Sequence, residues 1–403
     1  MSSDPIELLR QLVAIPSLNP MGRPDPGPGY GEARLTEYLE SLFRRAGVAF
    51  LRQEVEPGRE NILARVEGEL PPEQGGQILM LSAHQDTVPA EGMTVEPFRP
   101  AVRDGRLYGR GACDVKGGLA AMLAVFLRLA AQRPPGMPTL VLACTANEEC
   151  GFTGARALAA SLSGGCSGFV PRRPDAAVVA EPTELDVVVA HKGVVRWRCH
   201  TRGLAVHSAC PEAGQNAIYR MARAVRRIEQ YQAVLASQPP HPLCGRPTVN
   251  VGTIHGGVGV NVVPDHCAIE IDRRLSPDET PEQAYRDCIQ YLADQPDLDF
   301  PLEHDRPFME GLALCDGANR ILAEQIAELV RRLTGHCRVI GVPFATDAAF
   351  LAAAGIPTVV FGPGSLAEAH TADEWISLEQ LRQATEVFYE LARSGVQTAW
   401  RGR

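Results

Sequence analysis

Over its first 190 residues the chain alternates two kinds of segment, and that alternation limits the folds open to it. Residues 6–14 and 33–46 carry apolar side chains at three- and four-residue spacing, and Gly47 ends the second run. Residues 61–66 and 78–83 read as strands, the latter (Ile-Leu-Met-Leu-Ser-Ala) apolar almost throughout. Helices are expected over 117–129 and 154–162, and buried strands over 139–145 and 176–180. Strands without a polar face, separated by helices, predict an α/β sandwich around a mostly parallel sheet.

Near residue 190 the pattern changes. Val195, Trp197 and Cys199 alternate with Arg196, Arg198 and His200, as in an antiparallel strand with one wet face. A helix over 216–235, a Pro-rich loop over 238–242, strands over 249–254 and 267–273 and a helix over 281–292 follow. This block predicts a smaller α+β domain of ferredoxin-like type, inserted into the larger one. The first style then returns, with helices over 318–333 and 348–354, a strand over 358–361 and a last helix over 378–394. The expected division is 1–189 and 305–403 for the larger domain and 190–304 for the insertion. A length of 403 residues accommodates that arrangement. No repeat is visible, and the longest biased segment is the Pro/Gly-rich loop over 20–31.

Composition narrows the class of partner. Apolar residues at 45% and charged residues at 22% are ordinary for a globular chain, and a net charge of -9 argues against a nucleic-acid partner. The N-terminus places Asp4 and Glu7 where a signal peptide needs bases. The longest apolar stretch, 119–131, is broken by Arg128 and too short to span a bilayer. The eleven cysteines are odd in number and lack CxxC spacing, which fits buried thiols in a reducing compartment. A cytoplasmic protein without membrane contact is expected.

Five polar clusters follow predicted strands or sit in loops beside them: residues 82–86 (SAHQD), 111–118 (GACDVKGG), 147–151 (NEECG), 180–183 (AEPT) and 369–374 (AHTADE). Ligands of open α/β sheets collect outside the carboxyl ends of the strands. Imidazole combined with carboxylate suits zinc or a similar divalent ion. His84 and Asp86, two apart, share one face of an extended segment, so Asp86 is expected to accept the His84 N–H and aim its other nitrogen at a metal. Glu148 and Glu149 are adjacent and point differently, which lets one bind metal while the other stays free as a base. Asp114, between Gly111 and Gly117-Gly118, has the backbone freedom to reach two ions. Taken singly, each cluster reads more readily as a capped turn or a solvated rim than as a ligand, and Cys113 and Cys150 as small packing residues. Their shared position at one predicted sheet edge is what gives them weight.

Read together, these clusters resemble the acetylornithine deacetylase / succinyl-diaminopimelate desuccinylase family, which includes aminoacylases and two-zinc carboxypeptidases. The resemblance runs nearly end to end, from SAHQDTVP and YGRGACDVKGG through NEECG, AEPT and the 250–264 stretch to GPG and AHTADEW. It implies a zinc-exopeptidase-like sandwich whose inserted domain makes a homodimer and covers the site. It implies two divalent ions, zinc with cobalt as a substitute, one held by His84, Asp114 and Glu181 and the other by Asp114, Glu149 and His370. Glu148 then matches the general base, Asp86 the orienter of His84, and His207 of the His207-Ser208 pair a donor to the oxyanion. Arg274 in the 272–277 segment (DRRLSP) matches a clamp for the substrate carboxylate, with the doubled Arg273-Arg274 leaving open which guanidinium serves. Asn261 and Gly364 match substrate contacts. Val115 departs from the family, where Met is frequent. The implied activity is deacylation of an N-acyl amino acid, with N-acetyl-L-ornithine foremost and succinyl-diaminopimelate second. A two-zinc carboxypeptidase or dipeptidase is a third reading and a non-catalytic zinc-binding relative a fourth, the latter disfavoured because no ligand position is lost. A nucleotide-cofactor oxidoreductase lacks its GxGxxG.

Overall fold

Asp4 caps the first helix, α1 (Pro5–Val13), by accepting the Ile6 N–H at 3.1 Å, with Pro5 in the first turn where no N–H is needed. The computed structural model describes residues 3–23, 27–163 and 168–397; Cys166 and three residues of the Pro/Gly-rich loop lie outside them. After α1 come α2 (Ala33–Ala46), β1 (Ala49–Glu56), β2 (Arg59–Val66), β3 (Ile78–His84), β4 (Ala101–Arg103) and β5 (Arg106–Tyr108). Next are α3 (Lys116–Gln132), β6 (Thr139–Thr145), α4 (Thr153–Ser163), β7 (Ala176–Val179) and β8 (Val187–His191). The middle of the chain forms β9 (Gly193–Arg202), α5 (Ala217–Ser237), β10 (Thr248–Gly256), β11 (His266–Leu275), α6 (Pro281–Ala293), β12 (Leu302–His304) and β13 (Met309–Gly311). The last elements are α7 (Arg320–Thr334), β14 (Val339–Val342), α8 (Ala348–Ala353), β15 (Thr358–Val360), β16 (Trp375–Ser377) and α9 (Leu378–Ser394).

The main sheet has the order β1-β2-β6-β3-β7-β15-β8-β14. Its centre, β6-β3-β7-β15, is parallel, while β2 and β8 run against it. β3, β6 and β7 are buried at every residue, which is why they are written without polar alternation. The α3 helix packs against α1, α9 and β3 and is buried on nearly every side, so its Ala/Leu/Gly sequence has no wet face. Because the four central strands point the same way, His84, Thr145, the Ala180-Glu181 segment and the Phe361–Gly364 turn emerge at one sheet edge. A small sheet, β16-β5-β4, pairs Trp375 with Tyr108 and brings the segment after His370 alongside the one before Asp114.

The chain divides into two compact units, residues Met1–Val189, Cys315–Ile340 and Thr346–Arg403 in one, and Ala190–Leu314 with Gly341–Ala345 in the other. Residues 305–314, expected in the larger unit, belong to the smaller one because β13 pairs with β9 (Met309 with Arg196). The smaller unit strings β9-α5-β10-β11-α6-β12 into a sheet of order β10-β11-β9-β12, the ferredoxin-like arrangement. Its core joins Val195, Trp197 and Cys199 of β9 to Met221 and Ile228 of α5, Ile269 and Ile271 of β11, and Leu292 of α6. Among the described residues no helix is long and apolar enough to cross a membrane. No disulfide joins the ten described cysteines, seven of which are buried.

Trp197 is wholly buried, edge-on to Tyr285 at 5.2 Å between ring centroids, and donates Nε1–H to His304 Nδ1 at 3.2 Å. Trp197→Ala leaves a cavity in a core that one sheet and two helices share. It should cost about 3–5 kcal/mol, read from the denaturant midpoint of the full chain. A loss below about 1 kcal/mol would mean that this core collapses freely around the gap.

Candidate metal centre

His84 ends β3 beside Thr145 of β6 and is almost fully buried. Its Nδ1 lies 2.8 Å from the main-chain carbonyl of Asp86, an oxygen that can only accept, so Nδ1 carries a proton and Nε2 is the nitrogen that exchanges its own proton for a metal. The expected partner was the Asp86 carboxylate, which stands 3.7 Å away. That carboxylate is engaged elsewhere. Its Oδ1 accepts the Glu148 N–H and its Oδ2 the Glu149 N–H, each at 3.1 Å, and Asn19 donates to Oδ2 at 2.7 Å. Asp86 therefore orients the imidazole through its backbone and fixes the glutamate loop through its side chain.

The Asp114 carboxylate lies between two imidazoles, Oδ1 at 3.1 Å from His84 Nε2 and Oδ2 at 3.2 Å from His370 Nε2. His370 Nε2 is also 3.3 Å from Glu149 Oε2. Two groups, His84-Asp114-Glu181 and Asp114-Glu149-His370, bring potential ligand atoms within 4.8 Å of one another and share Asp114. Buried Glu149 Oε1 has no hydrogen-bond partner, and Glu148 is buried next to it in the chain. Four carboxyl groups thus face two imidazoles, of which only His370 is exposed, a charge imbalance that divalent cations correct. The donor set fits two such ions.

Protonation behaviour records the same imbalance. Burial, then the Glu181 charge, holds the Glu148 carboxyl well above the usual carboxylate range; burial, then the Asp114 charge, does the same for Glu181 and raises Glu149. Burial works against protonation of His84, yet the hydrogen bond to Asp114 and the surrounding acids hold it well above the ordinary histidine value. His370, hydrogen-bonded to Asp114 and Glu149, is raised to about 10. Asp114 itself is held low: burial opposes its charge, but both imidazoles favour it.

The remaining expected residues divide by unit. Gly364, in the turn after β15, is packed so closely that a Cβ would stand 2.6 Å from Cys113 Sγ; its N–H donates to Gln380 Oε1 at 2.8 Å. It shapes the wall behind Asp114. His207, Asn261 and Arg274 belong to the smaller unit. His207 and Asn261 are neighbours, with Ser208 N donating to Asn261 O at 3.0 Å and His207 bridging Val262. Arg273 points inward from β11 and donates to Glu279 at 2.5 Å, whereas Arg274 is on the outer face, held by Asp272 Oδ1 at 2.8 Å. Arg273 is a core residue, whereas Arg274 is half-buried and ion-paired with Asp272.

Three residues without an assigned role in the sequence prove to belong to the site. Asn19, fully buried, ties Asp86 to Asn147 Oδ1 at 2.9 Å. Asp347 accepts Thr145 Oγ1–H at 2.6 Å, while its Oδ1 is buried without a partner and burial raises its carboxyl to about 6. Glu374 accepts four N–H donors from the segment that carries Asp114. For Asp347 and Glu374 the available signal was an acid embedded among apolar or motif residues, in FATDAAF and AHTADEW.

Comparison with known proteins gives a consistent result. Residues 80–394 match peptidase family M20/M25/M40. A curated acetylornithine deacetylase from Myxococcus xanthus is 31% identical over 361 residues, covering 86% of this chain and 88% of that protein. Among solved structures, an M20 family metallo-carboxypeptidase from Sulfolobus solfataricus superposes with a TM-score of 0.76 at 16% identity, covering 97% of this chain and 99% of that one. A protein from Bacillus subtilis described as a dinuclear metal-binding M20 peptidase superposes with a TM-score of 0.65 at 20% identity, with 96% of each chain covered.

Asp86→Ala removes the acceptor of the Glu148 and Glu149 N–H groups but leaves the carbonyl that orients His84. If the two groups each hold an ion, chelator competition should show binding at the Asp114-Glu149-His370 group weakened about ten-fold or more, and binding at the His84-Asp114-Glu181 group less affected. Equal loss at both would contradict this division of labour. A pH test follows from His370. In the ion-free protein its contribution to stability is complete below the ordinary value of about 6.5 and is lost as pH rises through about 10. The three raised glutamates also bind more protons folded than unfolded, so they act in the same direction. The ion-free thermal midpoint should fall as pH rises across that interval, more steeply than with saturating zinc. A midpoint that rises would contradict the assignment.

Proposed function

Because this chain belongs to peptidase family M20/M25/M40, whose members hydrolyse amide bonds, we propose that it removes the acyl group from an N-acyl amino acid. N-acetyl-L-ornithine, yielding ornithine and acetate, is the foremost substrate, supported by the acetylornithine deacetylase likeness over most of both chains. The observation that carries the reading is the pair of ligand groups sharing Asp114, with buried Glu148 close to Glu181, His84 and Glu149.

The mechanism assigns His84, Asp114 and Glu181 to one ion and Asp114, Glu149 and His370 to the other. Two bound divalent cations, zinc by the mixed imidazole and carboxylate donors, would supply Lewis-acid polarisation of the amide and a water acidic enough to ionise near neutral pH. Glu148 takes the proton from the attacking water and returns it to the amide nitrogen as the C–N bond breaks, leaving a carboxylate and a free amine. His207 is assigned to the developing oxyanion, Arg274 to the substrate carboxylate, and Asn261 and Gly364 to substrate contacts. Asp86 holds Glu148 and Glu149 in place by their N–H groups.

A cytoplasmic homodimer joined through the smaller unit completes the proposal. Its support is the edge position of β10 in that sheet and the exposed Leu204, Tyr219, Ile254, Val258 and Val260 of the same unit. A peptidase reading stays in view because solved proteins of this fold include peptidases.

The experiment is a substrate panel on the zinc-loaded protein: N-acetyl-L-ornithine, N-succinyl-diaminopimelate and simple dipeptides. The highest kcat/KM is expected for N-acetyl-L-ornithine, and a preference for dipeptides would overturn the acyl reading. Glu148→Ala should lower kcat by about 10²- to 10⁴-fold with zinc content at the wild-type value. Near-normal turnover in that variant would remove Glu148 as the base.

A further inference from the structure

Glu374 exposes 1% of its side-chain surface and lies four residues beyond His370. Both of its oxygens are fully used. Oε1 accepts the Cys113 N–H at 2.9 Å and the Asp114 N–H at 3.0 Å; Oε2 accepts the Gly111 N–H at 2.9 Å and the Arg110 guanidinium at 2.7 Å. Its main-chain carbonyl accepts the Gly109 N–H at 3.1 Å, just where β5 and β16 stop pairing. The segment before Asp114 is thus a concave nest of N–H groups closed around one carboxylate. Gly111 makes the curve possible: its φ is +79°, and a Cβ there would stand 2.6 Å from Thr87 Cγ2.

We propose that Glu374 is the positioning residue of the metal centre, the group that fixes the Asp114 carboxylate between His84 and His370. The argument is geometric. Asp114 presents one oxygen to each imidazole, so a rotation of its backbone disturbs both ligand groups at once. The Asp114 N–H is held by Glu374, and so is the N–H of the residue before it. Glu374 is also tied through four chain steps to His370. One carboxylate that touches neither ion site directly therefore sets the register between the loop of the shared ligand and the loop of the last one.

Glu374→Gln keeps the size, removes the charge and turns an accepting oxygen into a donor facing other donors. In the full-length protein, zinc binding read by chelator competition should weaken about ten- to a hundred-fold. At limiting zinc kcat should fall while KM for the N-acyl amino acid stays unchanged, and excess zinc should restore kcat. Glu374→Asp, which keeps the charge but shortens the reach, should lie between wild type and Glu374→Gln and takes its place if that variant does not fold. A lowered thermal midpoint with unchanged zinc affinity would reduce Glu374 to a structural residue and overturn the proposal. The role rests on the two-ion reading, yet the two fail differently. Wild-type protein that binds no pair of zinc ions sinks that reading and this role with it, whereas normal pair binding in both wild type and variants sinks the role alone.

Discussion

Two unit charges 4 Å apart repel by about 4 kcal/mol at an effective dielectric of about 20, and Asp114, Glu148, Glu149 and Glu181 are gathered with only two imidazoles for company. A fold that buries such a set is incomplete without further positive charge, and the remainder of the larger unit can be understood as the means of paying that electrostatic cost only when cations arrive. The parallel strands supply rigid positions at one sheet edge, and the loops beyond them supply the ligands. Without ions, protons fill the role, which is why His84, His370 and the three glutamates all hold protons more tightly than usual. Metal and proton compete for one site.

The loops are built to hold that arrangement before any ion binds. Backbone groups do much of it: the Asp86 carbonyl sets the His84 tautomer, and N–H groups of Glu148, Glu149, Gly111, Cys113 and Asp114 are each taken by a buried carboxylate. Asn19 links two of the loops behind the site. The acids divide into those of the two candidate ligand groups and those, Asp86 and Glu374, that hold the ligand loops in place. Ligand precision of this kind comes from supporting hydrogen bonds as much as from the ligands themselves.

Much of this was legible in the residues alone, and the reason is local. Strands buried on both faces are apolar throughout, so β3 and β6 announce themselves, and the chemistry-bearing residues follow them within a few positions. The Asp86 interaction was not legible, because a side-chain pattern does not reveal that a main-chain carbonyl will reach the imidazole first. Glu374 depends on the pairing of β16 with β5, a contact between segments more than 260 residues apart. The burial difference between Arg273 and Arg274 was present in the strand parity: Arg273 alternates with Ile271 and Leu275 on the buried face, and Arg274 with Asp272 on the half-buried one. The grouping of residues 305–314 with the smaller unit was not legible because β13 is three residues long and too short to signal a pairing with β9.

The central claim is that Asp114 serves two cations at once. Crystals of the zinc-loaded protein, measured at the zinc absorption edge, test it most directly. The account predicts two anomalous peaks about 3.5–4 Å apart, one on each side of the Asp114 carboxylate. A single peak, or a pair in which Asp114 contacts only one, would contradict it.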